Sequence, residues 1–549
     1  MHSTALINFV ENNAKINFRQ YPKSFVILVE IFVLSRYVTS EGTRIGMLFD
    51  STGDIFTCDN KYLKSFETMW SNQTDNPGEY MDMHEVFNFF VKCWKEESRD
   101  TENLTVFLNS FCYQLLHKLT CTNSIPHVSR TISDNNYYLV VPRLDAGIQT
   151  NVSLYFESNE VDHRCQSCSS DISRKVISLL DVPSTLILYI SFQFQNQERN
   201  RRRVLRDIQN HHILEQHLML PTLITGILAK FTLKNFSCWI QNHYISYVWN
   251  NSGHGWILYN DGNETVFIDN LNEVIGVPVF MFYDFDSFTE GVPLSHSELA
   301  ITHFDRIDFN RAAKLMSARE NSNTDTEVIT AISNIIVNGL SFKRLKTQTW
   351  LNDEIINLYM KLLDNLDSEL CQFDSSRKRK RTLFFSTFFM FCLLIRDGQY
   401  RYDQVQRWTK SRRIDNNIFE YKQVIIPINL SNTHWILIYV DISEKTVISA
   451  DSMGSNGRST VYTRAVMRWV ADEHAVRQIP FDTTSWTQKS LRTNEYPRQD
   501  NDFDCGVFVI MAAEYLTKYR ALNFDPARME FFRMHIAMNI LKKGITDDT

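Results

Sequence analysis

The stretch 434–451 constrains this chain more than any other. Residues 434–441 (HWILIYVD) and 446–451 (TVISAD) are apolar, rich in β-branched side chains and of strand length. Between them Ile442-Ser443-Glu444-Lys445 reads as a polar turn. Two such runs joined by so short a turn form a buried hairpin. Counting outward from about Ser443 places His434 and Asp451 nearly opposite each other, within side-chain reach. A second stretch, Asp502-Phe503-Asp504-Cys505-Gly506, leads into the apolar run 507–516. That run reads as a largely buried helix with Cys505 in its first turn. The positive end of a helix favours a thiolate there, and Asp504 can cap the same helix. A thiol, a base and a group that orients the base are the parts of an acyl-transfer triad. The ordinary alternatives are a small core cysteine and a surface His–Asp hydrogen bond. Periodicity alone leaves the two readings about even.

At these residues the chain resembles the ubiquitin-like-protein-specific cysteine proteases, the SUMO (sentrin) protease family, over about 330–545. Residues 350–357 (WLNDEIIN) look like the family's opening motif, and Arg407-Trp408-Thr409-Lys410 with 424–428 like its central block. His434-Trp435, Asp451-Ser452-Met453-Gly454 and the stretch 499–506 complete the set in family order. The resemblance implies roles. Cys505 would be the nucleophile, His434 the general base, Asp451 the orienting acid and Gln499 an oxyanion donor. Trp350 and Trp435 would sandwich the Gly-Gly tail of the modifier, with Asp353 also on the substrate side. The alternative for either tryptophan is core packing.

Composition bounds the rest. At 549 residues two or more domains are expected. Hydrophobic residues make up 44% and charged residues 22%, which describes an ordinary globular chain. A net charge of −6 implies no broad nucleic-acid surface. The longest apolar runs, 25–34 and 382–395, are too short to span a bilayer, and no secretory signal opens the chain. Ten scattered cysteines argue for reduced thiols and an intracellular setting, in nucleus or cytoplasm. The basic run Arg377-Lys378-Arg379-Lys380-Arg381 reads equally as a nuclear signal or a solvated loop. Residues 199–206 read as a basic loop.

The first 290 residues carry a second pattern. Residues 176–180 and 186–190 read as strands, and 242–248 with 255–261 as a hairpin carrying His243 at one end and Asn260-Asp261 at the other. Taken alone, that pairing is more often coincidence than a site. Cys165-Gln166-Ser167-Cys168 is half of a possible zinc site. These segments, with residues 79–87 (EYMDMHEVF), resemble the ubiquitin-specific protease family in degraded form over about 1–285. The departures are informative. Met1-His2-Ser3-Thr4-Ala5-Leu6 resembles only the part of the family's nucleophile box beyond its cysteine, and the surroundings of Cys58, Cys93 and Cys112 do not match that box. The partner cysteine pair would fall at Cys121-Thr122-Asn123-Ser124, where serine replaces the second sulfur. Cys121, Cys165 and Cys168 then remain, with His127 or His163 as a fourth ligand, and the balance falls slightly to a finger without zinc.

The expected fold class is therefore α+β, with two papain-like cysteine-protease domains. One is a finger-palm-thumb domain over 1–290, inactive or truncated at its start, and the other is a Ulp-type catalytic domain over 330–545. Residues 291–329 are expected to link them, with Asn321-Ser322-Asn323-Thr324-Asp325-Thr326 as the best candidate. The expected activity is a thiol isopeptidase that matures or removes a modifier ending in Gly-Gly, SUMO before other modifiers. It needs no cofactor for the chemistry and acts without nucleic acid or membrane. The first half would bind ubiquitin. The competing expectations are a modifier-binding scaffold that cleaves nothing, and a two-headed protease whose start lies upstream.

Overall fold

The computed structural model describes residues 110–191, 214–290 and 304–545, with short internal breaks, together with Phe87, Asn88, Val91 and Lys92. The chain divides into two compact units, one ending at Val292 and one beginning at Pro293.

The first unit is mostly sheet. Strands β1 (Leu115–Cys121), β2 (Val128–Ile132), β4 (Asn159–Asp162) and β5 (Ile172–Leu179) form a four-stranded sheet in the order β2-β1-β5-β4. A larger sheet runs β11-β10-β9-β8-β12-β6-β3, with β7 added on β8. Its strands are β3 (Leu139–Val141), β6 (Thr185–Ile190), β7 (His217–Pro221), β8 (Ile227–Ile240), β9 (His243–Asn250), β10 (Gly255–Tyr259), β11 (Val266–Ile268) and β12 (Val277–Glu290). In β8 the buried Ile227, Ala229, Phe231 and Leu233 alternate with half-buried neighbours, the period of a strand with one dry face. Strand β6 lies between β12 and β3 and is buried along nearly its whole length, so it reads as a continuous apolar run. The strands read at 176–180 and 186–190 fall in β5 and β6. The runs at 242–248 and 255–261 form the antiparallel pair β9–β10, with Tyr259 opposite Ser246.

The second unit has a two-stranded sheet, β13 (Val328–Ile332) and β14 (Ile335–Asn338), and a five-stranded one, β15 (Thr382–Phe384), β16 (Gln423–Leu430), β17 (His434–Asp441), β18 (Thr446–Ala450) and β19 (Thr487–Ser490), in sequential order. The outer pairs are parallel and the inner ones antiparallel. Every residue of β17 except Asp441 is buried, as its unbroken apolar sequence requires. Ile436, Ile438 and Val440 pack with Val466 and Trp469 of the helix Thr460–Val476, and Phe385 stacks on Phe389 at 4.1 Å in the same core. Strand β17 also packs against the helix Cys505–Thr517, which is buried along nearly its whole length. The long helix Asp353–Phe373 starts with Asn352, whose side chain accepts from the Ile355 N–H at 3.3 Å, and with Asp353 and Glu354 in its first turn.

The stretch expected as a linker is a correction. Within 291–329 the helix Arg306–Ser317 buries Phe309, Ala312, Ala313 and Met316 and packs on the helix Met529–Lys542. Asp305 caps it, and Phe304 stacks on Phe531 at 5.1 Å. Asn323–Asp325 forms a short 3-10 turn, and Asp325 pairs with Lys343. The apolar spacing within 306–316 is that of an amphipathic helix, which the mixed composition around it masks. Two members of the basic run are also structural: Arg379 and Arg381 both bind Asp367, which is fully buried. Among the described residues no helix is long and apolar enough to cross a membrane.

Candidate active site

Cys505, His434 and Asp451 arrive from three places. Cys505 is the first residue of its helix, His434 the first of β17, and Asp451 the residue after β18. They are 2%, 5% and 6% exposed, so their mutual hydrogen bonds do not compete with bulk water. His434 Nε2 lies 2.8 Å from Asp451 Oδ1. Nδ1, the other ring nitrogen, is buried and has no hydrogen-bond partner, while the Cys505 thiol lies near enough to act on the charge of the ring. With Nε2 committed to the carboxylate, Nδ1 is the atom placed to take the thiol proton. Burial works against a charged ring. The hydrogen bond to Asp451 and the interactions with the Asp451 and Cys505 side chains outweigh it and raise His434 to about 9. An imidazolium at neutral pH is the form that pairs with a thiolate.

The hairpin register differs from the count made on sequence. Leu437 faces Ala450 and Asp441 faces Thr446, so the turn centres between Ser443 and Glu444. Asp451 then lies across from Ile436, and His434 is its diagonal neighbour. Diagonal positions are about 7–8 Å apart, a gap that an imidazole and a carboxylate close. The Asp451 turn is held from both sides. Met453 N–H donates to Asp451 Oδ1 at 2.9 Å, and Arg498 Nη1 donates to the Asp451 carbonyl at 3.2 Å. Gly454 has φ +100, and a Cβ there would stand 2.3 Å from Arg498 Nη1, so only glycine fits.

The loop before the nucleophile is organised by side chains. Gln499 donates its N–H to the Ser452 carbonyl at 3.0 Å. Its Oε1 accepts from Ser452 Oγ at 2.6 Å, which fixes which end of the amide carries the donors. Its Nε2 donates to the Asn501 carbonyl at 2.5 Å and keeps a second N–H. Asn501 Oδ1 accepts from the N–H groups of Phe503 and Asp504, each at 3.0 Å. Asp504 does not cap the helix, contrary to the sequence reading. Its backbone is already helical, φ −93 and ψ −1, where a cap needs an extended residue. Its carboxylate binds Arg533 and Asn501 instead.

The two tryptophans are tied to the same region. Trp350 is 45% exposed and donates to the Asp502 carbonyl at 2.7 Å; Trp435 is buried and donates to the Leu351 carbonyl at 3.0 Å. Leu351 lies against Gly506, where a Cβ would come within 2.9 Å of its side chain. Asp353 is the half-buried first residue of its helix. Sequence reasoning missed Ser452, Asn501 and Arg533. The one available signal was Arg533, a charge flanked by the apolar Phe531, Phe532 and Met534.

Residues 349–546 match the family model of the Ulp1 protease family, C-terminal catalytic domain. The second unit holds a Ulp1-type cysteine-protease domain. The chain is 32% identical over 211 residues to ubiquitin-like-specific protease 1A of Arabidopsis thaliana, covering 38% of this chain and 40% of that protein. It is 30% identical over 224 residues to sentrin-specific protease 2 of Homo sapiens, covering 40% of this chain and 34% of that one. The chain thus spans less than half the length of these two relatives. Among solved structures it is similar to the C-terminal Ulp1 protease domain in complex with Smt3, the yeast orthologue of SUMO. That match has 28% identity, covers 44% of this chain and 96% of that one, and has a TM-score of 0.35.

Outside the Ulp1-type domain the sequence candidates separate. His243 starts β9 opposite Ile240, and Asn260 follows β10. Asp261, residues 1–6, Cys58, Cys93 and residues 79–86 lie outside the described residues. Cys112 is buried. Cys121, His127, Cys165 and Cys168 do converge, their ligand atoms all within 4.8 Å of one another, whereas His163 does not join them. Cys121 Sγ lies 3.6 Å from His127 Nδ1 and 3.6 Å from Cys168 Sγ. That is far beyond a disulfide bond, and close to the ~3.7 Å between ligands of a tetrahedral zinc–thiolate centre. The backbone N–H groups of His127 and Asn123 pull the Cys121 thiol down to about 6. Three sulfurs and one imidazole are a donor set that suits zinc.

Proposed function

We propose that this protein is a thiol isopeptidase acting on a ubiquitin-like modifier ending in Gly-Gly, SUMO before other modifiers. The observation that carries this reading is the buried His434–Asp451 hydrogen bond of 2.8 Å on a ring whose other nitrogen is buried without a partner and whose charge the Cys505 thiol favours. The family match over 349–546 and the names of the relatives support the substrate class. In the reaction the Cys505 sulfur attacks the terminal glycine carbonyl and the tetrahedral oxyanion forms. The free N–H of Gln499 and the Cys505 backbone N–H are its donors. The His434 imidazolium then gives its proton to the departing lysine amine, leaving a thioester. His434 next takes a proton from water, the hydroxide attacks the thioester, and the thiolate leaves. Trp350 and Trp435 wall the slot for the diglycine, with Asp353 at its edge.

For the first unit, the proposed reading is a ubiquitin-protease-like module that binds ubiquitin. The His243 hairpin supports the likeness, and the Cys121, His127, Cys165 and Cys168 cluster would hold one structural zinc. That zinc would brace the ends of β1 and β4 and take no part in chemistry. The proposed setting is the nucleus or cytoplasm; Arg379 and Arg381, being ion-paired, do not supply a free nuclear signal.

A panel of modifiers carrying C-terminal electrophiles tests the proposal. SUMO probes should label Cys505 covalently in preference to other modifiers. Labelling at another cysteine, or by none of the probes, would sink it.

A further inference from the structure

Arg533 sits in the helix Met529–Lys542 and is 1% exposed. A buried guanidinium is tolerated only when its charge is paired and its N–H groups are used. Nε and Nη2 donate to Asp504 Oδ1 at 3.0 and 2.7 Å. Nη2 also reaches the carbonyls of Thr349 at 2.8 Å and Phe503 at 3.1 Å. Nη1 donates to the carbonyls of Arg344 at 3.1 Å and Lys346 at 2.9 Å. These acceptors lie on two segments that the chemistry needs side by side. Residues 344–349 lead into Trp350, and Phe503-Asp504 lead into Cys505. The Trp350 indole closes the same junction through the Asp502 carbonyl.

Building on the thiol-protease reading, we propose that Arg533 is a positioning residue for the reaction. It locks the Trp350 segment to the nucleophile loop and neutralises the Asp504 carboxylate beside the Cys505 thiol. A carboxylate left alone there would repel a thiolate. The planar fork cancels that charge while its five N–H groups hold both segments in register. A lysine would keep the charge but lacks the fork. The other groups that act on this region are His434 and Asp451 from the hairpin, Tyr496 from the preceding loop and Glu530 beside Arg533. All of these stay in place in the variants below.

The test uses the full chain and three measurements: the pH dependence of Cys505 alkylation by iodoacetamide, turnover of a Gly-Gly modifier substrate, and thermal unfolding. Wild type tests the protease reading separately, since a protein with no turnover fails that reading whatever Arg533 does. Arg533→Gln should move the alkylation midpoint up by on the order of one pH unit and lower kcat about tenfold or more. Asp504→Asn leaves the guanidinium without its counter-charge and should move the midpoint down. The double variant should return toward wild type, and Arg533→Lys should keep the midpoint while losing kcat. A residue that only braces the fold would change the unfolding temperature and leave every midpoint where it was, which would overturn the proposal. Should Arg533→Gln fail to fold, Asp504→Asn decides alone: a downward shift supports the proposal, and no shift or an upward one refutes it.

Discussion

Each unit contains a hairpin that begins with a histidine, and the two hairpins are built to different degrees. In the Ulp1-type domain, His434 at the head of β17 meets Asp451 at 2.8 Å and the thiol at the start of a buried helix. In the first unit, His243 heads β9, which pairs with β8 and β10. The strands alone do not make the difference. What sets the second unit apart is the loop before Cys505, in which Ser452, Asn501 and Arg533 together orient Gln499, the backbone and Asp504. A His–acid hairpin is a scaffold that any sheet can offer. A reactive thiol needs a loop whose polar groups are held in place before substrate arrives.

The sharpest way to break this contrast is to remove the nucleophile. Cys505→Ser should lower hydrolysis by about 10³-fold or more while modifier binding persists. The same variant, exposed to a ubiquitin electrophile probe, should form no adduct at any cysteine. An adduct mapped to the first unit would make the protein two-headed and erase the difference drawn above.

Next in size is the acid. Asp451→Asn should cost on the order of 10²-fold or more in kcat. It should also show where the pH limit comes from. Burial works against the charged ring, but the hydrogen bond to Asp451 and the nearby Asp451 and Cys505 side chains raise His434 to about 9, above its ordinary value. Its contribution to stability is therefore complete below the unfolded histidine range and is lost as pH rises through about 9. Activity should fall along the same limb, because the imidazolium proton that the leaving amine needs is gone. In Asp451→Asn the limb should move toward neutral pH. A pH–rate profile with an unmoved limb would assign it to another group.

The tryptophans should separate by burial. Trp435→Ala opens a cavity and should cost about 3–5 kcal/mol of stability in addition to activity. Trp350→Ala, at an exposed position, should leave the unfolding temperature nearly unchanged and raise KM for Gly-Gly substrates, roughly tenfold for the loss of one aromatic wall. Equal unfolding temperatures for the two variants would contradict the burial difference. The smallest effect on activity is expected in the first unit. His127→Ala should reduce bound zinc, read by elemental analysis, from one per chain to nearly none, while modifier cleavage continues at the parent rate.

Much of the site was legible in the sequence because its parts are local. The apolar run around Ile436–Val440 has to be a buried strand, and Cys505 followed by ten largely apolar residues has to start a buried helix. The linker reading failed at 306–317 because that helix is amphipathic and acquires its meaning only from the helix Met529–Lys542 it covers. The His434–Asp451 contact was anticipated, but its register was off because turn geometry, not residue counting, sets where the strands meet.

Sequence by itself thus determined which chemical groups are present, the strands and helix that carry them, and their order along the chain. These come from the length and apolar character of local runs and from the polar residues that bound them, properties of neighbours only. Tertiary structure decided that Asp504 binds Arg533, 29 residues on, instead of capping its own helix, that Ser452 sets the orientation of Gln499, and that His127 rather than His163 joins the three sulfurs. Each is a choice between partners that the chain makes equally available. It is settled by which of them burial leaves without water and which lies within hydrogen-bond distance once the elements have packed.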